Sequence, residues 1–194
     1  MPCPEKFRET LAQFNISDST IRQIEEGYEG IVSKMPKKIT SAYFKRAIDI
    51  LTEQVEPEIM IDLLAANACC KGGAREKNSK AFAKANKDNS LEEKLALIPS
   101  VPQAGRPVLN EDGSITVHAV YYHDGTKYLC ACSNYHRTKR DYPVSKNYCF
   151  CCAGHFQYHY QIMLGMKLRP VEIVSSPLDS EGRNPCVIRF VRAD

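Results

Sequence analysis

The sequence predicts an α+β fold, an antiparallel sheet with a packed helix preceded by an N-terminal helical region. Three observations carry this. Residues 5–98 place apolar side chains at helical spacing between recognisable caps. Residues 99–107 hold three prolines and a glycine and mark a connector. Beyond them the apolar pattern alternates with period two around Asp124-Gly125. The expected organisation is a helical region over 1–98 and a cysteine-rich sheet-and-helix region over 107–194, packed as one unit. With 194 residues, 43% of them hydrophobic, the chain can bury a core without disulfides.

Taken in order, Ile16-Ser17 followed by Ile21 reads as an N-cap with a hydrophobic staple. Pro57 suits the first turn of a helix running through Ile59, Leu63 and Leu64. Gly72-Gly73 is expected to end that helix, which places Cys69 and Cys70 at its C-terminus, where the dipole raises a thiol pKa. Ser90 with Glu93 makes a capping box. After the connector, Asn110-Glu111-Asp112-Gly113 is a turn. Ser114–Tyr122 and Lys127–Cys132 are expected to pair as a hairpin closed by a two-residue Asp124-Gly125 turn. Period two then puts Tyr128, Cys130 and Cys132 on one face, together with Val117, Ala119 and Tyr121, pointing into the core. A helix from about Tyr148 to Leu164 is stopped by Gly165, and strands follow over about 168–175 and 186–192, the last with Cys186, Ile188 and Phe190 on one side.

The cysteines narrow the chemistry further. There are nine, an odd number that suits a closed disulfide framework poorly. The start, Met1-Pro2-Cys3-Pro4, lacks an apolar leader and no run of eighteen apolar residues occurs, so the expected location is the cytoplasm, with free thiols or metal thiolates. A Cys-x-Cys on a strand and another at a helix start can converge, so Cys130, Cys132, Cys149 and Cys151 are the candidate tetrahedral zinc ligands. The competing readings are a packed core of small apolar thiols and a reversible disulfide. A nucleophilic reading uses Cys151 and Cys152 in the first helical turn, where unpaired amides favour thiolate, with His155 one turn on as base. No orienting Asp or Asn follows from the sequence. Aromatic residues crowd the same region, and Tyr121, Tyr128, Tyr148 and Phe156, with Cys69, are expected to line a small-molecule pocket.

Cys149, Gly154, Gly165, Glu172-Ile173-Val174-Ser175, Gly182 and Cys186-Val187-Ile188-Arg189-Phe190 together resemble the small-molecule-binding 4-vinyl-reductase-type domain. They are also similar to the bacterial proteins grouped with L-2-amino-thiazoline-4-carboxylate hydrolase. The resemblance covers about residues 145–192. It implies a zinc site beside a pocket for an aromatic or apolar ligand, and by position it implicates Cys149, Glu172 and Cys186. Ser175 stands where that group has a further cysteine, and serine is a poor zinc ligand, so either Cys130 or Cys132 replaces it or the metal is lost.

Net charge is +3, with both signs interleaved, which excludes a dedicated nucleic-acid binder; the one basic stretch, His136 to Arg140, is either a solvated loop or a seat for an anion. The expected partner is a small organic molecule, with no nucleic acid and no membrane, and a homodimer is left open. The leading reading is a small-molecule-binding protein with a cysteine-rich, zinc-competent site beside an aromatic pocket. The alternatives are a cysteine-dependent hydrolase of a small C–N or C–S substrate and a structural or interaction module with inert thiols.

Overall fold

The computed structural model describes residues 3–119, 122–136 and 138–193, so Tyr121, expected to line the pocket, and Arg137 of the basic stretch lie outside the described residues. Six helices occupy the first half: α1 (Pro4–Gln13), α2 (Asp18–Glu25), α3 (Lys37–Gln54), α4 (Pro57–Ala66), α5 (Gly73–Ala85) and α6 (Leu91–Leu97). Local chemistry sets several boundaries where the sequence puts them. The Ser17 hydroxyl accepts from the Thr20 amide at 3.1 Å, Pro57 opens α4, and Ser90 and Glu93 form a reciprocal capping box. Gly72-Gly73 acts differently from expectation. Helix α4 stops at Asn67, and Gly72 is the N-cap of α5, so the glycines start a helix rather than end one.

The second half carries the antiparallel sheet. Strands β1 (Arg106–Leu109), β2 (Ile115–His118), β5 (Leu168–Ser175) and β6 (Val187–Arg192) lie in the order β1-β2-β6-β5, all neighbours antiparallel. Strand β1 lies within and just beyond the stretch read as a connector. It tolerates Pro107 because it is an edge strand, where a missing amide breaks no internal ladder. Ile115, Val117, Ile188 and Phe190 are buried together on the sheet's inner face.

The expected long hairpin is shorter and elsewhere. Among the described residues Tyr122–His123 (β3) and Tyr128–Leu129 (β4) pair, as a separate two-stranded sheet, with His123 opposite Tyr128. The loop therefore has four residues instead of two. The Asp124 carboxylate accepts from the amides of Thr126 and Lys127 and from the Thr126 hydroxyl, and this closed turn widens the hairpin. Strand β2 instead finds its partners in β1 and β6, and long-range pairing has overridden the local hairpin signal.

Helix α7 (Phe150–Leu164), entered through a 3-10 turn at Lys146–Cys149, packs on the sheet with the Tyr160 and Phe190 rings stacked at 6.5 Å. Its other sides meet α4 and α5, and residues around its whole circumference are buried, including Cys151, Ala153, His155, Phe156, His159 and Met163. Gly154 is what lets α4 come so close, since a Cβ there would lie 2.1 Å from the Ala65 carbonyl oxygen. Gly165, in the left-handed conformation, ends α7 as expected. Among the described residues no helix is long and apolar enough to cross a membrane.

Candidate functional site

Cys130 and Cys132 follow β4 into a turn, Cys149 and Cys151 stand at the start of α7, and Cys186 precedes β6. All but the half-buried Cys186 are buried. Burial pushes the Cys130 thiol up, and negative charge on Cys132, Cys186 or Cys151 pushes it further. Cys149 is raised well above the ordinary thiol value by burial, and Cys186 is pushed up to about 12 by burial and then by Asp179.

Each sulfur nevertheless has its own neighbour. Cys132 Sγ lies 3.0 Å from the Tyr148 hydroxyl, Cys149 Sγ lies 3.1 Å from the Ser176 hydroxyl, and Cys130 Sγ accepts from the Cys132 amide at 3.4 Å. Among the described residues no three or more His, Cys, Asp or Glu side chains are grouped to hold a metal ion. The set Cys130, Cys132, Cys149 and Cys151 is not gathered into such a group here. The set implied by the resemblance is not brought together either. Glu172 is exposed on the sheet, 3.8 Å from Arg189, while Cys149 is buried against Ser176. Ser175 donates to the Pro185 carbonyl at 2.7 Å. No disulfide joins any of the nine cysteines.

At the Cys151–Cys152 pair a thiolate is favoured on Cys151. A hydrogen bond from Cys152 holds the Cys151 thiol down to about 6 against the cost of burying its charge, and Cys152 is correspondingly raised. Their position in the first turn of α7 acts in the same direction, through the unpaired amides of the helix start. His155, however, is turned to other partners. Its Nδ1 donates to the Cys70 carbonyl at 3.1 Å and its Nε2 faces the Arg75 guanidinium at 3.4 Å, which, being only a donor, fixes that nitrogen as acceptor. Burial first, then the charges of His159 and Arg75, hold His155 down to about 4, so it is neutral near pH 7. The hydrogen-bonded Cys–His pair expected from the i, i+4 spacing is not formed, because α7 packs that face against α5 and the 67–72 segment.

The structure distributes the expected pocket residues. Tyr148 is a core residue, 1% exposed, and Phe156 lines a small cavity beside His155 and His159. Tyr128, with Tyr135 and Tyr142 of the same aromatic-rich region, lines the large cleft, a space of about 890 Å³ walled also by Leu129, Cys130 and Leu178. Lys139 and Arg140 stand at this cleft, Arg140 lying 5.6 Å over the Tyr135 ring. Sequence reasoning missed the wall made by residues 177–182, for which no short-range signal exists. That wall is held by the Tyr128 amide donating to the Gly182 carbonyl at 2.8 Å. Gly182 has φ +87°, and a Cβ on it would lie 2.9 Å from the Tyr128 carbonyl oxygen, so only glycine lets the two segments approach. Cys69 lies apart from the cleft, exposed beside Cys70. Compared with known proteins, the chain matches no family model, no curated protein and no solved structure.

Proposed function

We propose that this protein binds a small organic anion with an aromatic or apolar body in the cleft between β4, residues 138–143 and residues 177–182. The observation that carries the reading is the cleft itself. Its volume falls in the range of small-molecule sites, its walls are tyrosine, leucine and a neutral Cys130 thiol, and Lys139 and Arg140 supply cations. Three carboxylates, Asp124, Asp141 and Glu181, line the cleft against the three cations Lys127, Lys139 and Arg140, so the preference for an anion rests on the placement of Arg140 over the Tyr135 ring with Lys139 beside it and not on net charge. The resemblance of the C-terminal third to a small-molecule-binding domain points the same way. Ligand-observed NMR with a library of aromatic carboxylates tests it. Hits should compete with one another and weaken about tenfold or more in Arg140→Ala, a loss of about 1.4 kcal/mol, as expected for removing a charged hydrogen-bond donor. Hits that bind Arg140→Ala and Tyr135→Leu as tightly as the native chain would remove the cleft from consideration.

A second reading, a thiol-dependent hydrolase, rests on the lowered Cys151 thiol. Its test is iodoacetamide labelling near pH 6. Rapid labelling of Cys151 or Cys152, unchanged in His155→Ala, would support a thiolate made by the helix start and the neighbouring thiol without a histidine base. Labelling that waits for unfolding would leave Cys151 as an unreactive core residue.

A further inference from the structure

Between α4 and α5 the chain exposes two adjacent thiols, Cys69 and Cys70, whose sulfur atoms lie 3.5 Å apart. The arrangement is built from behind. Cys70 has φ +60°, a left-handed conformation that a non-glycine residue adopts only where its surroundings hold it. What holds it is its carbonyl, which accepts from His155 Nδ1 at 3.1 Å and from His159 Nε2 at 3.0 Å. Both histidines are buried on α7 and are themselves positioned by Arg75 and Ser79 of α5. Two elements of the core thus fix the backbone of a surface residue, and with it the direction of its Cα–Cβ bond, from which the sulfur reaches that of Cys69. The cleft proposed above makes no use of this pair.

We propose that Cys69 and Cys70 form a chelating dithiol for a trivalent thiophilic centre, the chemistry shared by arsenite, antimonite and organoarsenicals. With bonds to sulfur of about 2.3 Å, sulfurs 3.5 Å apart subtend an angle of about 100° at a shared atom, which suits a pyramidal three-coordinate centre bearing a lone pair. A linear two-coordinate ion would need the sulfurs about 4.6 Å apart at the same bond length. A tetrahedral ion such as zinc would need further protein donors, and no third Cys, His, Asp or Glu joins the pair among the described residues. A disulfide is disfavoured too, because consecutive α-carbons are about 3.8 Å apart, shorter than the usual disulfide span of about 4.4–6.8 Å. With arsenic trihydroxide, two As–S bonds form and two As–OH bonds break. Each thiol proton leaves with a hydroxide as water, one hydroxide stays on arsenic, and nothing is oxidised or reduced. Exposure of both cysteines lets the reagent arrive without opening the core.

Phenylarsine oxide added to the reduced full chain tests the proposal, with bound arsenical read by intact mass under non-denaturing conditions. One equivalent should bind, resist displacement by 2-mercaptoethanol and leave with 2,3-dimercaptopropanol, since only a second dithiol matches the chelate. Cys69→Ser and Cys70→Gly should each weaken retention about a hundredfold or more through loss of the intramolecular second bond. The glycine keeps the left-handed backbone, so its effect reports the thiol and not the fold. Cys152→Ala should bind as the native chain does. Tight retention by Cys70→Gly, loss of binding in Cys152→Ala, or displacement by the monothiol would each overturn the assignment.

Discussion

Gly154→Ala is expected to lower the free energy of unfolding by about 2–3 kcal/mol, in spite of the gain of about 1 kcal/mol that alanine normally brings to a helix interior. The added methyl carbon would sit 2.1 Å from the carbonyl oxygen of Ala65 and 2.6 Å from its Cα. These are backbone atoms of α4 and cannot rotate away, so the two helices must separate. Separation would loosen Leu63, Leu64, Ala153 and the other residues buried at that crossing. Urea unfolding should show a lower midpoint with an unchanged slope. Ala65→Gly should not rescue the variant, because the obstacle is main chain. An unchanged midpoint in Gly154→Ala would mean that α4 and α7 do not cross this closely.

The second large effect is acid destabilisation through His155. Its pKa lies near 4 in the folded protein against an ordinary value of 6.5, through burial first and then the positive charges of His159 and Arg75. A folded pKa below the unfolded one means that the unfolded chain binds the extra proton. The stabilisation is therefore complete above about pH 6.5 and is lost as pH falls towards 4, about 3 kcal/mol over that window. His159, lowered by burial and by Arg75 although the Cys70 carbonyl and then Glu76 oppose this, adds to the loss. The measurement is urea stability of native and His155→Gln protein at pH 7 and pH 4.5. The glutamine can still donate to the Cys70 carbonyl, so the variant should be less stable at pH 7 but lose less on acidification. Parallel pH profiles for the two proteins would show that His155 is not held neutral by the fold.

The helices of the first half were legible because their signals are short-range. Ser17, Pro57, Ser90 and Glu93 act on amides within one turn of themselves, and so does the Gly165 cap. The Gly72-Gly73 reading failed for a related reason: a glycine pair marks a helix boundary without saying which helix it bounds. The hairpin failed because period two describes a strand and not its partner. Asp124 drew its own turn tight, and β2 paired with β1 on one side and with β6, some seventy residues away in sequence, on the other, instead of with the segment after Asp124.

By itself the sequence determined the α+β class, the starts of α2, α4 and α6, the end of α7, the strands over about 168–175 and 186–192, and the inward side of the last strand. These follow from periodicity and capping, which act within a few residues. It also placed the cysteines in one region, since their spacing and burial preference are local properties. Only the tertiary structure decided what those cysteines face. Packing α7 between the sheet, α4 and α5 gave Cys132 to Tyr148, Cys149 to Ser176 and His155 to Cys70, so that neither the zinc set nor the Cys–His pair assembled. The same packing fixed the Cys70 carbonyl between two histidines 85 and 89 residues away, and contacts at that separation depend on how helices cross, which no local pattern encodes.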